Sequence, residues 1–314
     1  MDCERGRSVT DIRLPNGMHV IERGWLSSNS MLFLGARSST LVDSGYCTHA
    51  PQTTALVAAA LRGRALDRLV NTHLHSDHCG GNAALQQLYP AVRTLIPPGL
   101  SGAVAHWDPV ALGYAPTGQL CPRFGFDGHV LPGTEIELAD TMWQVHAAPG
   151  HDPDSVILFE PRSRTLISAD ALWENGFGVV FEELEGQAAF DQVGSTLDLI
   201  ERLDPHGVIP GHGRVFAFAP EVLGRARARL DAFIENPERH ARHAAKVMLK
   251  FKLLDSRQMP VVELVAWAAG TRHFQTIHQR FAASAPVVDW IEQLTQELVR
   301  SQVLRRVGDT IHDA

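Results

Sequence analysis

Long apolar runs are missing from this chain. No segment of its 314 residues approaches the roughly 20 apolar residues that a membrane-spanning helix needs. No apolar stretch follows the charged opening Met1-Asp2-Cys3-Glu4-Arg5-Gly6-Arg7 either, so a cytoplasmic protein with no membrane partner is expected. Cysteine is scarce: Cys3, Cys47, Cys79 and Cys121 are scattered, with no Cys-x-x-Cys pair. That excludes a disulfide scaffold and a zinc ribbon, and leaves small buried or half-buried thiols as the expectation. Internal repeats and low-complexity linkers are also absent. What remains, 45% hydrophobic and 20% charged residues, is the composition of a globular protein with one large or two unequal domains.

Against that plain background one stretch stands out: Asn71-Thr72-His73-Leu74-His75-Ser76-Asp77-His78-Cys79-Gly80-Gly81-Asn82. Leu69-Val70 before it closes an apolar run that reads as a buried strand, and Ala83 to Leu88 after it reads as a helix. Three histidines and an aspartate within six residues therefore stand where a strand empties into a loop. A polar solvated loop would not need that set; a metal site does. Alternate side chains of an extended segment share a face, so His73 and His75 point one way. A turn after Ser76 lets Asp77 and His78 reach a second point nearby.

The rest of the chain repeats the pattern of a polar residue behind a strand. Three short strands, 19–22, 31–35 and 40–43, open the chain as an antiparallel sheet, and the third ends at Asp43-Ser44-Gly45. Asp43 is either a turn-former or a carboxylate delivered to the same rim as the histidine loop. A helix at 50–61 then introduces βα alternation. After the Pro- and Gly-rich segment 97–127, which reads as a lid or pocket wall, strands return. They deliver His151 behind Pro149-Gly150, Asp170 behind Ser168-Ala169, and His212 behind Pro210-Gly211. Buried imidazoles and carboxylates at one sheet edge need partners, and a metal cluster supplies one for all of them. From 221 onward the pattern is helical, over 221–255, 261–269 and 287–301, with a short strand or wing at 303–307.

Taken in order, His73-x-His75-x-Asp77-His78, His151, Asp170 and His212 resemble the metallo-β-lactamase fold superfamily over residues 18–220, with Leu41-Val42-Asp43-Ser44-Gly45 as its early Asp motif. The resemblance implies an α/β (α+β) architecture: a four-layer αββα sandwich in a catalytic domain of residues 1–220, followed by a mainly helical, winged-helix-like domain of residues 221–314. It implies that His73, His75 and His151 hold one metal ion, that Asp77, His78 and His212 hold another, and that Asp170 bridges them. Such N/O donors suit zinc first, with iron or manganese as alternatives, and a bridging carboxylate needs the ions about 3.5 Å apart. By the same resemblance a metal-bridging hydroxide attacks a small-molecule substrate, with Asp77 or Asp170 as catalytic residues orienting its proton. Cys79 is expected in a supporting position behind the ligands.

Departures from family patterns narrow the substrate. His78 and Asp170 stand where the main class of true β-lactamases has arginine and cysteine, which speaks against antibiotic hydrolysis. Residues 171–211 hold no tyrosine, which speaks against the lactonases, and 171–187 hold four Glu and no Lys or Arg, which speaks against glutathione. An acyl thioester or ester hydrolase is the expectation. Two alternatives stay open: a phosphodiesterase or single-strand endoribonuclease, and a mononuclear iron persulfide dioxygenase. The nuclease reading draws on nine Lys/Arg against four Asp/Glu between Leu223 and Gln258, a local +5 in a chain of net −7. Nucleic acid is nonetheless not the favoured partner, because the rest of the chain is −12. A homodimer is open. Trp107, Tyr114, Trp173 and Phe177 are the expected apolar pocket residues.

Overall fold

The computed structural model describes residues 12–314. Cys3 and the charged opening segment lie outside the described residues. Six strands build a first sheet in chain order: β1 (Met18–Ile21), β2 (Ser30–Leu34), β3 (Ser39–Val42), β4 (Arg68–Val70), β5 (Arg93–Ile96) and β6 (Gly128–His129). The β1–β2 and β2–β3 pairs are antiparallel, and the β3–β4, β4–β5 and β5–β6 pairs are parallel. The change follows from the connections: a loop over 22–29 and a short turn over 35–38 fold the first three strands back on one another, whereas helix α1 (Ala50–Leu61) carries the chain across to β4. The short helices α2 (Ser76–Cys79) and α3 (Asn82–Leu88) lead from β4 to β5. The Pro/Gly-rich segment that follows holds α4 (Ser101–His106) and α5 (Tyr114–Thr117).

A second sheet runs β7 (Glu135–Leu138), β8 (Thr141–Ala147), β9 (Val156–Glu160), β10 (Thr165–Ala169), β11 (Gly207–Pro210) and β12 (Phe216–Ala217), again in chain order. Helices α6 (Phe181–Glu185) and α7 (Phe190–Leu203) bridge β10 to β11, the one parallel pair of this sheet. Alternation along the strands sets the layers. Met31 and Phe33 of β2 meet Val156 and Leu158 of β9 between the sheets, around the buried Trp143. Leu32, Leu41 and Leu69 face outward onto Val57 and Leu61 of α1 and Leu85 of α3. On the far side Ile157, Phe159 and Leu166 pack on α7 and on α8 (Pro220–Glu235). The result is the expected αββα sandwich.

Beyond α8 the chain forms α9 (Pro237–Ser256), α10 (Val261–Gly270), α11 (Arg272–Phe281) and α12 (Val287–Arg300). A third sheet joins them, ordered β13 (Gln258–Pro260), β15 (Thr310–Asp313), β14 (Leu304–Val307). Sequence periodicity suggests one helix over 221–255, but the structure divides it at Asn236-Pro237. Proline at 237 lacks the N–H that would continue α8, and the Asn236 side chain accepts from Arg239 N instead, starting a new helix. Helix α11 escapes the sequence reading because its polar residues mask a buried edge of Phe274 and Ile277. The tail's core also takes in Val179 and Leu184 from the α6 region, so the helices pack directly over the segment that follows Asp170.

Candidate metal centre

The first sheet supplies one half of the site. β4 ends at Val70, the chain bends at Thr72 and His73, and α2 then turns Asp77 and His78 back toward the strand ends. The turn is close-packed: a Cβ at Gly80 would lie 2.5 Å from Ser76 O and 2.6 Å from Cys47 N, so only glycine fits behind the histidines. The second sheet supplies the other half. His151 follows β8, Asp170 follows a register break at the end of β10, and His212 follows β11. Gly211 is required here as well, since a Cβ would lie 2.1 Å from Asp170 Oδ1.

All seven predicted residues converge. His73, His75 and His151 form one group, and Asp77, His78, Asp170 and His212 form the other; within each, the donor atoms lie within 4.8 Å of one another. Asp170 faces both, 3.5 Å from His78 Nε2 through Oδ1 and 3.4 Å from His151 Nε2 through Oδ2. Hydrogen bonds behind the rings fix which nitrogen faces inward. His78 Nδ1 is 2.8 Å from Asp43 Oδ2, and His151 Nδ1 is 2.6 Å from the Val179 carbonyl, which leaves both Nε2 atoms aimed into the site. Asp43 is thus a buried supporting carboxylate rather than a mere turn-former; it also accepts from Thr72 N at 2.9 Å and Thr72 Oγ1 at 2.7 Å.

The electrostatics call for cations. Burial pushes the His73, His75 and His151 pKa values down, His75 to about 3 with His151 as a further cause, so this trio is neutral at ordinary pH. Burial also opposes charge on His78, but Asp170 and Asp43 outweigh it and raise its pKa well above the usual value. Against their burial, Asp77 and Asp170 stay ionised, the first through its bond to His212, the second through His212 and His78. His73 Nε2 and His78 Nε2 are buried without a hydrogen-bond partner, and His212 turns Nε2 to the carboxylates, 3.0 Å from Asp77 Oδ2. Orphaned imidazole nitrogens beside two buried carboxylates are a donor set that divalent cations fit.

The centre floors a cavity of 510 Å³, walled by Leu74, Leu112, Tyr114, Val179, Phe181 and Phe251 among others. Among the described residues, Arg272 is the one Lys or Arg of the lining, which also holds the carboxylates of Asp152, Glu182 and Glu185. Burial raises Asp152 to about 7. A larger hollow of 680 Å³ at Arg13, Arg162 and His206 contains none of the seven residues. Of the expected pocket aromatics, Tyr114 and Trp173 line the cavity, although the Tyr114 hydroxyl is engaged by the Leu74 carbonyl at 2.9 Å. Trp107 packs instead on Tyr114 and Phe124, and Phe177 is buried against Phe233 and Arg229. Both belong to cores. Sequence reasoning missed Trp25, Phe181, Phe251 and Arg272; Phe181 follows Asp170 by 11 residues, whereas Phe251 and Arg272 lie far from the motifs and come to the cavity only through tertiary packing. Cys79 faces away from the donors, with Sγ near the Leu74 and His75 carbonyls and 3.9 Å from Cys121 Sγ.

The basic residues of α8 and α9 are largely consumed within the chain. Arg227 pairs with Asp198 and Glu201, Arg242 and Lys246 with Glu297, and Lys250 with Asp313; Arg225 donates to the Glu174 carbonyl. Arg229 lies over Phe177 and Phe233, and Lys252 over Trp267. They tie helices to their neighbours.

A two-sheet sandwich carrying clustered His and Asp donors on its rim has the makings of a metal-dependent enzyme. The Metallo-beta-lactamase superfamily profile matches residues 23–212. A hydroxyacylglutathione hydrolase from a Synechococcus species is 25% identical over 217 residues, which are 65% of this chain and 74% of that one. A second, from Francisella tularensis subsp. holarctica, is 30% identical over 139 residues, 44% of this chain and 46% of that one. The crystal structure of a beta-lactamase domain protein from Burkholderia ambifaria has a TM-score of 0.58 at 18% identity, covering 99% of this chain and 97% of the other. A metallo-beta-lactamase family protein from Thermus thermophilus gives 0.53 at 18%, covering 96% and 100%. At such identity these two show the fold alone, including its helical C-terminal region. The chain belongs to the metallo-β-lactamase superfamily, and it is a metal-dependent hydrolase.

Proposed function

We propose that this protein is a dinuclear hydrolase of small thioesters or esters whose acyl and leaving groups are largely apolar. The observation that carries the proposal is the convergence of five imidazoles and two carboxylates, with His73 Nε2 and His78 Nε2 orphaned, beneath an apolar-walled cavity. In this reading His73, His75 and His151 hold one ion, Asp77, His78 and His212 the second, and Asp170 both. Zinc is the first candidate, with iron or manganese suited to the same donors. Two such cations, when bound, supply an acidified water and a Lewis acid at the scissile carbonyl.

The chain's own groups do the rest. In this reading Asp77 or Asp170 orients the proton of the attacking water. Thr72 and Asp43 fix His78, and the Val179 carbonyl fixes His151, so the donors are preorganised. Leu74, Phe181 and Phe251 exclude bulk water from the reacting carbonyl. No general acid is needed for a thiolate leaving group.

The curated relatives are named for a glutathione thioester, which supports thioester chemistry here. Glutathione itself is a poor match: its carboxylates would meet Asp152, Glu182 and Glu185 with Arg272 alone to receive them. A phosphodiester has lost its main support, since the basic helices spend their charge inside the chain. The test is a turnover screen of metal-replete protein against apolar acyl thioesters, lactones and phosphodiesters. Thioester hydrolysis is expected, falling about 100-fold or more in Asp170→Ala. Phosphodiester cleavage with inert thioesters, or full activity in that variant, would overturn the reading.

A further inference from the structure

Hydrolysis as described makes no use of the tryptophans beside the metal centre. Trp25, in the loop between β1 and β2, is 54% exposed, although Leu26 to Ser30 directly after it are buried. Its ring lies parallel to the His212 imidazole, with centroids 5.5 Å apart and planes at 5°. It meets Trp173 edge-on at 5.3 Å and 75°. Trp173 stands edge-on to His212 at 5.7 Å, and its indole N–H donates to Asp170 Oδ1 at 3.2 Å. Trp25, Trp173, His212 and Asp170 all line the cavity.

Neither indole sits on a loose segment. Ser28 N donates to Asp77 O at 2.9 Å and Asn29 N to Gly211 O at 2.7 Å, so the Trp25 loop is tied to the metal-binding loops on both sides. The Asn29 side chain adds bonds to the Pro210 and Gly213 carbonyls, and Arg23 reaches Thr53 and Gln52. Trp173 N donates to the Gly176 carbonyl at 2.7 Å, and the adjacent Glu174 is clamped by Arg214. A tryptophan held half in solvent on an anchored loop forgoes the burial it ordinarily gains. What it offers in return is a fixed π face one ring away from the donors.

We infer that Trp25 and Trp173 form a stacking wall that selects substrates carrying a planar aryl group next to the scissile carbonyl. The inference rests on the hydrolase reading and names the substrate class within it. Leucine, valine and phenylalanine already line the other walls and would serve an alkyl chain. Paired indoles at a right angle add a distinction those walls lack, because a flat ring stacks on one and meets the other edge-to-face. Their preorganisation keeps the ordering cost of that contact low.

The test uses matched substrates on the metal-replete full chain: phenylacetyl against cyclohexylacetyl esters of one thiol, and acetyl esters of benzyl against cyclohexylmethyl thiol. A methylene in the first pair, and a methylene and the sulfur in the second, separate ring from carbonyl and damp its electronic effect, and the change of each ratio in Trp25→Ala reads the wall because any remaining electronic effect is the same in both proteins. In at least one pair the phenyl member is expected to lead by about 3- to 10-fold in kcat/KM, mainly through KM. That ratio should fall toward 1 in Trp25→Ala and survive largely in Trp25→Phe, whatever the absolute rates. Binding of phenylacetate and benzyl alcohol against their cyclohexyl counterparts, followed by ligand-observed NMR, gives the same comparison without turnover. Equal phenyl and cyclohexyl values in the wild type, a ratio unchanged by Trp25→Ala, or a stronger preference for a trimethylammonium group would each overturn the inference. Phenyl-selective binding lost in Trp25→Ala, in a protein that hydrolyses none of these esters, would uphold the wall and reject the thioester reading.

Discussion

Asp43 shows how much of the site depends on a residue that touches no substrate. Its carboxylate is 1% exposed and divides its bonds between the His78 ring and Thr72, in a backbone conformation with φ of 58° that aspartate adopts more readily than most residues. Asp43→Ala is therefore expected to weaken metal affinity about 10- to 100-fold, as loss of a supporting carboxylate does, while the chain still folds. Chelator competition on the purified variant measures this; unchanged affinity would show that His78 is held by something else. At this scale the sequence was highly legible for the donors. Histidine and aspartate behind strand ends announce themselves by type and spacing, so all seven fall together. Trp25 did not, because a single tryptophan in a Gly-Trp-Leu-Ser-Ser turn has no periodicity and gains its neighbours, His212 and Trp173, from loops some 150 or more residues away along the chain.

Among the elements, α8, α9 and α11 explain what periodicity could and could not reveal. Helices α8 and α9 were readable from their apolar spacing and α11 was not, while the Asn236-Pro237 break and the pairing of β13, β14 and β15 depend on local capping and on strands brought together across the tail. Side-chain burial within α9 also carries a pH consequence. His240 is nearly inaccessible and accepts a 3.3 Å bond from Val180 N; burial, then Arg229, lowers its pKa to about 4. His243 is lowered to about 3 by burial and Arg229. Both bind a proton more readily unfolded, at about 6.5, than folded. Their contribution is thus fully present above about pH 6.5 and is lost as pH falls through that value toward 4. Urea unfolding between pH 7 and 4 should show the decline, reaching roughly 3 kcal/mol per histidine at most, and His240→Gln should flatten it. A pH-independent midpoint, or a decline unchanged in the variant, would contradict this account of α9.

Over the whole molecule, the metal centre lies on the seam between the sheets. The first sheet brings Asp43 and residues 73–78, the second brings His151, Asp170 and His212, and Val156 N bonds to Thr72 O across the junction at 2.9 Å. Neither sheet alone holds a complete donor set. The tail closes the cavity through Met248 and Phe251 of α9 and Arg272 and His273 of α11, which couples its packing to the substrate side of the site. Among the described residues no helix is long and apolar enough to cross a membrane. The sandwich was foreseeable from strand order and motif order, whereas the cavity's far wall was not, since nothing in residues 221–314 marks which helical face meets the metal centre. Elemental analysis of protein purified without chelator tests the central claim most directly. The account predicts two zinc, iron or manganese ions per chain, with binding lost or halved in both His75→Ala and Asp170→Ala. A wild-type protein that binds no such ion, even when offered each in excess, would contradict it.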